Sequence, residues 1–319
     1  MCFSAQVWES YALYVRKHGA DVDIHAFYQL YFARSQGAPS KIPKAMDANF
    51  ATATDGESRQ IRTLIDTHDR ALATRYEQEV FKQRKRLADA ERVLQVRTTR
   101  KALDDQRIAT DKVGWLLGKL ADLRRTQPKP SDSRIFPGHY APVMIRENGR
   151  RVVKPMRYQC RPAGKPASHD RRYPGTYNAR RDNLERFWKG QFGHTHGIMV
   201  INAFYENVSR HALEQRDLRE GEAEENVVLE FRPRPEQDML VACLWSKWQG
   251  EDEPDLLSFA AITDEPPAEV AAAGHDRCII PISEQNIDAW LNPQSHSLAD
   301  LDAILDARAR PFFEHRMAA

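Results

Sequence analysis

The sequence lacks any long apolar run: nothing in its 319 residues approaches the roughly 18 consecutive apolar side chains that cross a bilayer. Its first residues, MCFSAQVWES, carry neither a basic stretch nor an apolar core of the kind that directs export, so a cytoplasmic location is expected, with no membrane partner. Cysteine is scarce. Cys2, Cys160, Cys243 and Cys278 lie far apart with no C-x-x-C pair, which argues against a zinc site and a disulfide framework. No metal or cofactor is expected. Charge of one sign is also missing, since 47 basic and 45 acidic residues leave a net charge of +2, and any nucleic-acid surface has to arise by local clustering. What remains is 41% hydrophobic and 29% charged, with a mean hydropathy of −0.65. That composition suits a globular protein of one elaborated domain or two, with a heavily solvated helical segment.

Apolar and aromatic residues over 7–35 (Tyr11, Tyr14, then Phe27, Leu30, Tyr31) recur at helical spacing and break near Gly19, predicting two short helices. From Glu57, the residues Ile61, Ile65, Leu72, Tyr76, Val80, Leu87 and Leu94 step at the 3.6 period among dense charges. A second stripe, Val113, Leu116, Leu117 and Leu120, ends before Gln127-Pro128-Lys129-Pro130. Residues 47–129 therefore read as a charged helical insertion, a hairpin if the two helices pack together, whose default role is solvated and which offers a surface for DNA or a protein partner. From Ile135 short β-type runs take over, among them GIMVINAFY, VVLEF, MLVACLW and LLSFAAIT, and helical patterning returns near the end. The predicted class is α+β, with a helical tail over 293–319.

Met1-Cys2 carries the first chemistry. A small second residue permits removal of Met1, which leaves one residue with an α-amine and a thiol. An aldehyde condenses with the amine to an imine, the thiol adds to the imine carbon, and a five-membered thiazolidine closes. Only an N-terminal cysteine can form that ring. An α-amine titrates near 7.7–8.0 and a lysine near 10.4, so at neutral pH the reactive fraction of the amine is about several hundred-fold larger. A cysteine near a chain start is otherwise a small core residue.

Three polar motifs follow. Glu206 ends the GIMVINAFY run, where burial of a strand terminus would raise its pKa toward the range for proton exchange. His275, between AEVAAAG and RCIIPI, has the pKa range of a proton shuttle. Asn178 could orient an amine or a carbonyl without titrating. Singly, these read as a solvated carboxylate, a loop histidine and a turn asparagine.

Together, Met1-Cys2, Asn178-Ala179-Arg180, Phe204-Tyr205-Glu206 and His275-Asp276-Arg277 resemble, in order and spacing, the SOS response-associated peptidase family of abasic-site processing proteins. Leu244-Trp245-Ser246-Lys247-Trp248, Tyr140-Ala141-Pro142, Ile262-Thr263-Asp264-Glu265 and Asp288-Ala289-Trp290-Leu291 are similar to further family segments. The likeness covers 1–6 and 134–292 and implies a single domain with a mixed or antiparallel sheet or an open barrel core.

The resemblance implies that Cys2 captures abasic sites in single-stranded DNA as a thiazolidine, with nucleoid association when bound. It assigns Asn178 to positioning the amine or sugar, Glu206 to proton exchange at the amine, and His275 to protonating the sugar ring oxygen as the aldehyde opens. The family's self-processing would release Met1 with Glu206 and the Cys2 thiol taking part. DNA contacts would fall to Arg180, Arg181, Tyr158 and Thr263. Two departures stand out. Phe3-Ser4 replaces the family's Gly-Arg, and Tyr158-Gln159-Cys160-Arg161-Pro162-Ala163-Gly164 keeps one aromatic of a segment that usually has two. Two rival readings remain. One is an N-terminal-nucleophile amidotransferase, whose usual Met-Cys-Gly-Ile start is missing; the other is a non-enzymatic helical adaptor, which gives no reason for the ordered Asn, Glu and His.

Overall fold

The structure is a computed structural model and describes residues 4–7, 11–54, 56–250 and 254–318. After strand β1 (Ser4–Val7) come α1 (Tyr11–His18), β2 (Asp21–Val22), α2 (Ile24–Ser35) and α3 (Lys44–Ala48). The Asp23 carboxylate starts α2 by accepting from the Ala26 amide. Tyr11, Phe27, Tyr31, Phe50, Ile61 and Ile65 gather into a satellite core that ties these helices to the base of α4 (Gly56–Val96). α4 has 41 residues, a length of about 60 Å at 1.5 Å per residue, and folds back through α5 (Arg100–Arg124), capped by Thr99. Along this hairpin only a thin seam is apolar, with Val80, Leu116 and Leu120 buried at its centre. The rest carries charges at helical spacing, as the 3.6 period predicts.

The second half is a mixed sheet: β3 (Arg134–Ile135), β4 (Tyr140–Glu147), β5 (Arg150–Tyr158), β6 (Asn178–Arg180), β7 (His196–Ser209), β8 (Asn226–Arg234), β9 (Met239–Trp248), β10 (Leu256–Asp264), β11 (Cys278–Ile279), β12 (Pro281–Ile282) and β13 (Phe312–Met317), with the short helices α6 (His169–Arg172), α7 (Arg210–Leu213) and α8 (Ala268–Ala272) in its connections. The order runs β12-β9-β10-β5-β4-β7-β1-β3, and β7 also pairs β9 from His196 to Ile201. The sheet thus curls strongly, but β4 and β7 meet only at Met144 and Ile198, so it is not an evenly closed barrel. Both faces are covered, which explains continuous apolar runs in place of alternation. On β7, Met199 and Ile201 enter one core, and Ile198 and Val200 enter the other, against α9 (Ile287–Leu291) and α10 (Leu298–Asp306). The protein is α+β, as its patterning predicts.

The last helix ends at Asp306, and the expected helical tail over 293–319 gives way to β13. Phe313 explains the change, because its ring packs edge-on to Phe204 at 5.1 Å inside the core while Arg316 reaches Glu230 on β8 at 2.8 Å.

The motif tryptophans hold the start of β7. Trp290 donates its indole N–H to the Gly197 carbonyl (3.0 Å), and Trp245 donates to that of His196 (3.1 Å). His196 lies between Phe192 and Trp290, accepting from the Gly193 amide at Nε2 (2.9 Å), which leaves the proton on Nδ1 to meet the Trp290 carbonyl (3.1 Å). Burial pushes its pKa down to about 3. The unfolded histidine, near 6.5, takes up its proton first as pH falls, so stability drops from about pH 6.5 toward 3. By pH 4.5 this one group should remove about 2–3 kcal/mol. Urea midpoints at pH 7 and 4.5 check it: His196→Asn should lose less between the two than wild type, and equal losses would reject the account.

Candidate functional site

Glu206 sits on β7 between Phe204 and Val208, whose side chains enter the same core, and is 0% exposed. Beside it lies His275, 9% exposed, with Nε2 3.2 Å from Glu206 Oε2. His275 follows α8 (Ala268–Ala272) through Gly274, whose φ of +89° and tight approach to Ala212 both favour glycine. At the far side of the ring, Nδ1 is 2.8 Å from the Arg277 carbonyl oxygen and 3.3 Å from the Arg277 amide. Burial lowers the His275 pKa to about 4, so the imidazole is neutral at pH 7. A carboxyl and a neutral imidazole in contact can share one proton in either direction.

Asn178 reaches the same face from another strand. β6 runs parallel to β10, with Asn178 opposite Ala261 and Arg180 opposite Thr263, and Ala261 belongs to the core that Phe204 and Val208 enter. The Asn178 amide is 6% exposed, and neither its oxygen nor its nitrogen has a hydrogen-bond partner among the described residues. Leaving such a group unpaired costs about 1–3 kcal/mol. The Asn-Ala-Arg and His-Asp-Arg motifs meet at Asp182, whose Oδ2 is 2.9 Å from Arg180 and 3.9 Å from Arg277. Three segments separate in sequence therefore converge.

Asn178 and Arg180 also line a cavity of about 320 Å³ with Arg172, Tyr173, Phe187 and Trp188. Tyr173 and Phe187 keep 40% and 46% of their surface exposed, and Arg172 stands over the Tyr173 ring at 5.5 Å. Sequence reasoning missed these aromatics, although the basic and aromatic letters of RRYPGTYNARRDNLERFWKG alternate closely.

The expected DNA contacts fare unequally. Arg180 is exposed and has only Asp182 near it among the ion pairs of the described residues. Arg181 is turned inward onto Asp264, Asp302 and Asp306 (3.2, 2.9 and 2.7 Å), which hold its pKa above the usual range and cancel its charge toward a phosphate. Tyr158 is fully buried, stacked on Phe259 at 5.2 Å, so its placement corrects the expectation of a base-stacking ring. Thr263 is enclosed too, its hydroxyl facing the Asn178 side of the sheet without a partner among the described residues.

Cys2 lies outside the described residues. Cys160, Cys243 and Cys278 are buried and free, and burial pushes their thiols up, Cys160 to about 12, so none is poised as a thiolate. No group of three or more His, Cys, Asp or Glu that could hold a metal occurs among the described residues, nor does a helix long and apolar enough to cross a membrane.

The sequence pattern of the SOS response associated peptidase (SRAP) family matches residues 87–317. The chain belongs to that family. SRAP membership connects the protein with the SOS response to DNA damage and with peptidase-type, DNA-processing activity. The match begins within α4 and includes Asn178, Glu206 and His275. No curated protein matches the chain. Among solved structures, a protein from Bordetella bronchiseptica aligns at 15% identity over 59% of this chain and 87% of its own, with a TM-score of 0.45. One from Bacteroides thetaiotaomicron gives 14%, 59%, 78% and 0.46, and a phage-related protein from Bordetella bronchiseptica gives 17%, 61%, 85% and 0.45.

Proposed function

We propose that Cys2, freed of Met1, captures the ring-opened aldehyde of abasic sugars in single-stranded DNA as a thiazolidine. The observation that carries this reading is the buried 3.2 Å contact between Glu206 and His275 next to the residue that pairs with the chain start. Ser4 lies opposite Tyr205 in the β1–β7 ladder, one residue from Glu206. Two peptide units separate Cys2 from Ser4, so the covalent chain keeps their Cα atoms within about 7 Å wherever Cys2 lies.

In the reaction the neutral amine attacks the aldehyde carbon, and the resulting carbinolamine loses water to give the imine. The thiol sulfur then bonds to the imine carbon and its proton passes to nitrogen, closing the ring. Glu206 suits the proton exchanges at nitrogen and His275 the protonation of the departing ring oxygen. The unpaired Asn178 amide is available to hold the amine or sugar in attack geometry. Arg180 supplies a phosphate partner.

The test is incubation with an oligonucleotide carrying one abasic site, followed by denaturing electrophoresis after heating, with intact mass measured in parallel. A heat-stable adduct of protein lacking Met1 is expected. Processed protein that gives no adduct, or ammonia release from glutamine in its place, would reject the proposal.

A further inference from the structure

The helical hairpin carries a surface that the capture chemistry leaves unused. On α5, Lys101, Asp105, Ile108, Lys112, Trp115 and Lys119 follow each other at intervals of three and four residues and form one stripe. Contacts join α4 to the same side. Arg86 meets Asp105 at 2.5 Å, Tyr76 packs edge-on to Trp115 at 6.3 Å, and Glu79 lies in the field of both Lys82 and Lys112. Asp104 and Asp111 flank the stripe, three or four residues from Lys101, Ile108 and Trp115, and each lies 4.0 Å from Arg107, so six cations, Lys82, Arg86, Lys101, Arg107, Lys112 and Lys119, stand against the four carboxylates Glu79, Asp104, Asp105 and Asp111.

Each of these carboxylates already has a cation: Asp105 lies between Arg86 and Lys101 (3.7 Å), Asp104 and Asp111 share Arg107, and Glu79, which accepts from the Gln83 amide (2.7 Å), faces Lys82 (3.8 Å). Positive charge is left over, and the ammonium of Lys119 stands 5.5 Å over the Trp115 ring. Trp115 is nonetheless 58% exposed in the middle of the stripe. A large exposed aromatic amid surplus lysines is poorly explained by helix stability, since Val80, Leu116 and Leu120 already make the seam. The same pairing of an aromatic face with flanking cations is how single strands are held without sequence preference, by stacking a base and neutralising its phosphates.

We infer that this face of the α4–α5 hairpin binds single-stranded nucleic acid, with Trp115 stacking on a base and Lys82, Lys101, Lys112 and Lys119 meeting the phosphates. The inference rests on DNA being the ligand of the Glu206–His275 site, and it assigns the hairpin to the strand that continues beyond that site. Charge complementarity selects the polyanion, and the exposed indole selects an unpaired strand over a duplex.

Fluorescence anisotropy with a 30-nucleotide unmodified strand, titrated with salt, tests the face. The combined variant Lys82→Gln, Lys101→Gln, Lys112→Gln and Lys119→Gln keeps good helix formers and should lower the log–log salt slope by about 3. At about 0.1 M salt its affinity should fall at least about tenfold. Trp115→Ala should weaken binding at least about fivefold. Adduct yield with a saturating abasic 8-mer should match wild type for both variants. An unchanged slope on the 30-mer, Trp115→Ala binding like wild type, or a loss confined to poly-glutamate binding overturns the inference. Failure of the capture chemistry itself would appear separately, as wild-type protein giving no adduct with the 8-mer.

Discussion

Replacing Cys2 with alanine should bring the heat-stable adduct down to background, a loss of about two orders of magnitude or more, while leaving strand binding intact. The thiol disappears and the α-amine stays, so condensation can still reach the imine but the ring cannot close. An imine hydrolyses on heating, whereas a borohydride quench would fix it as a secondary amine. The variant should therefore yield a borohydride-dependent band and no heat-stable one. This double readout distinguishes the two groups on one residue. A heat-stable Cys2→Ala adduct equal to wild type would move the nucleophile elsewhere. None of the other three cysteines is suited to replace it, being buried with raised thiol pKa values. If both bands vanish, the α-amine of the substituted second residue is still blocked by Met1, which intact mass reveals directly.

How much of this was readable in the letters depended on whether a feature is local. The hairpin was, because the 3.6 period of Ile61, Ile65, Leu72 and Val80 is a property of one segment, and α4 runs over Gly56–Val96. Glu206 and His275 were recognisable as motif residues, but their contact was not. It requires β7 to turn Glu206 into the core, and α8 with Gly274 to swing the histidine back across a gap of many residues. Asn178 likewise looked like an ordinary turn residue until its parallel pairing with Ala261 buried the amide. The family likeness misled at Tyr158, since matching letters do not tell a ring facing the core from one facing solvent. A strand covered on both faces, as β5 is at its end, hides either. The exposed rings near Asn178 are Tyr173 and Phe187, in an irregular stretch where no period marks which way a side chain points. Arg181 shows the same limit for charge, because the three aspartates that occupy it come from β10 and the region of α10.

Glu206→Gln and His275→Ala should each slow adduct formation by about 10²–10⁴ at pH 7, with strand affinity close to wild type. The reason is the single proton that the pair can hold in two ways. In both, Nδ1–H donates to the Arg277 carbonyl; with the shared proton on the carboxyl, Glu206 donates to a neutral imidazole at Nε2, and with it on Nε2, the imidazolium donates to the Glu206 carboxylate. Both arrangements satisfy the ring, so a proton can cross without displacement of either side chain. Glutamine preserves shape and removes that exchange, and added imidazole should restore part of the rate to His275→Ala but not to Glu206→Gln. The pH profile gives a second constraint. Burial keeps His275 near 4, so from pH 6 to 8 its charge is constant and the wild-type rate should follow the α-amine alone, rising about tenfold per unit until it levels near 8. An added break near 6.5 would mean that the histidine titrates as though solvated when DNA is bound. The shared-proton role would then fail, even if both variants were slow.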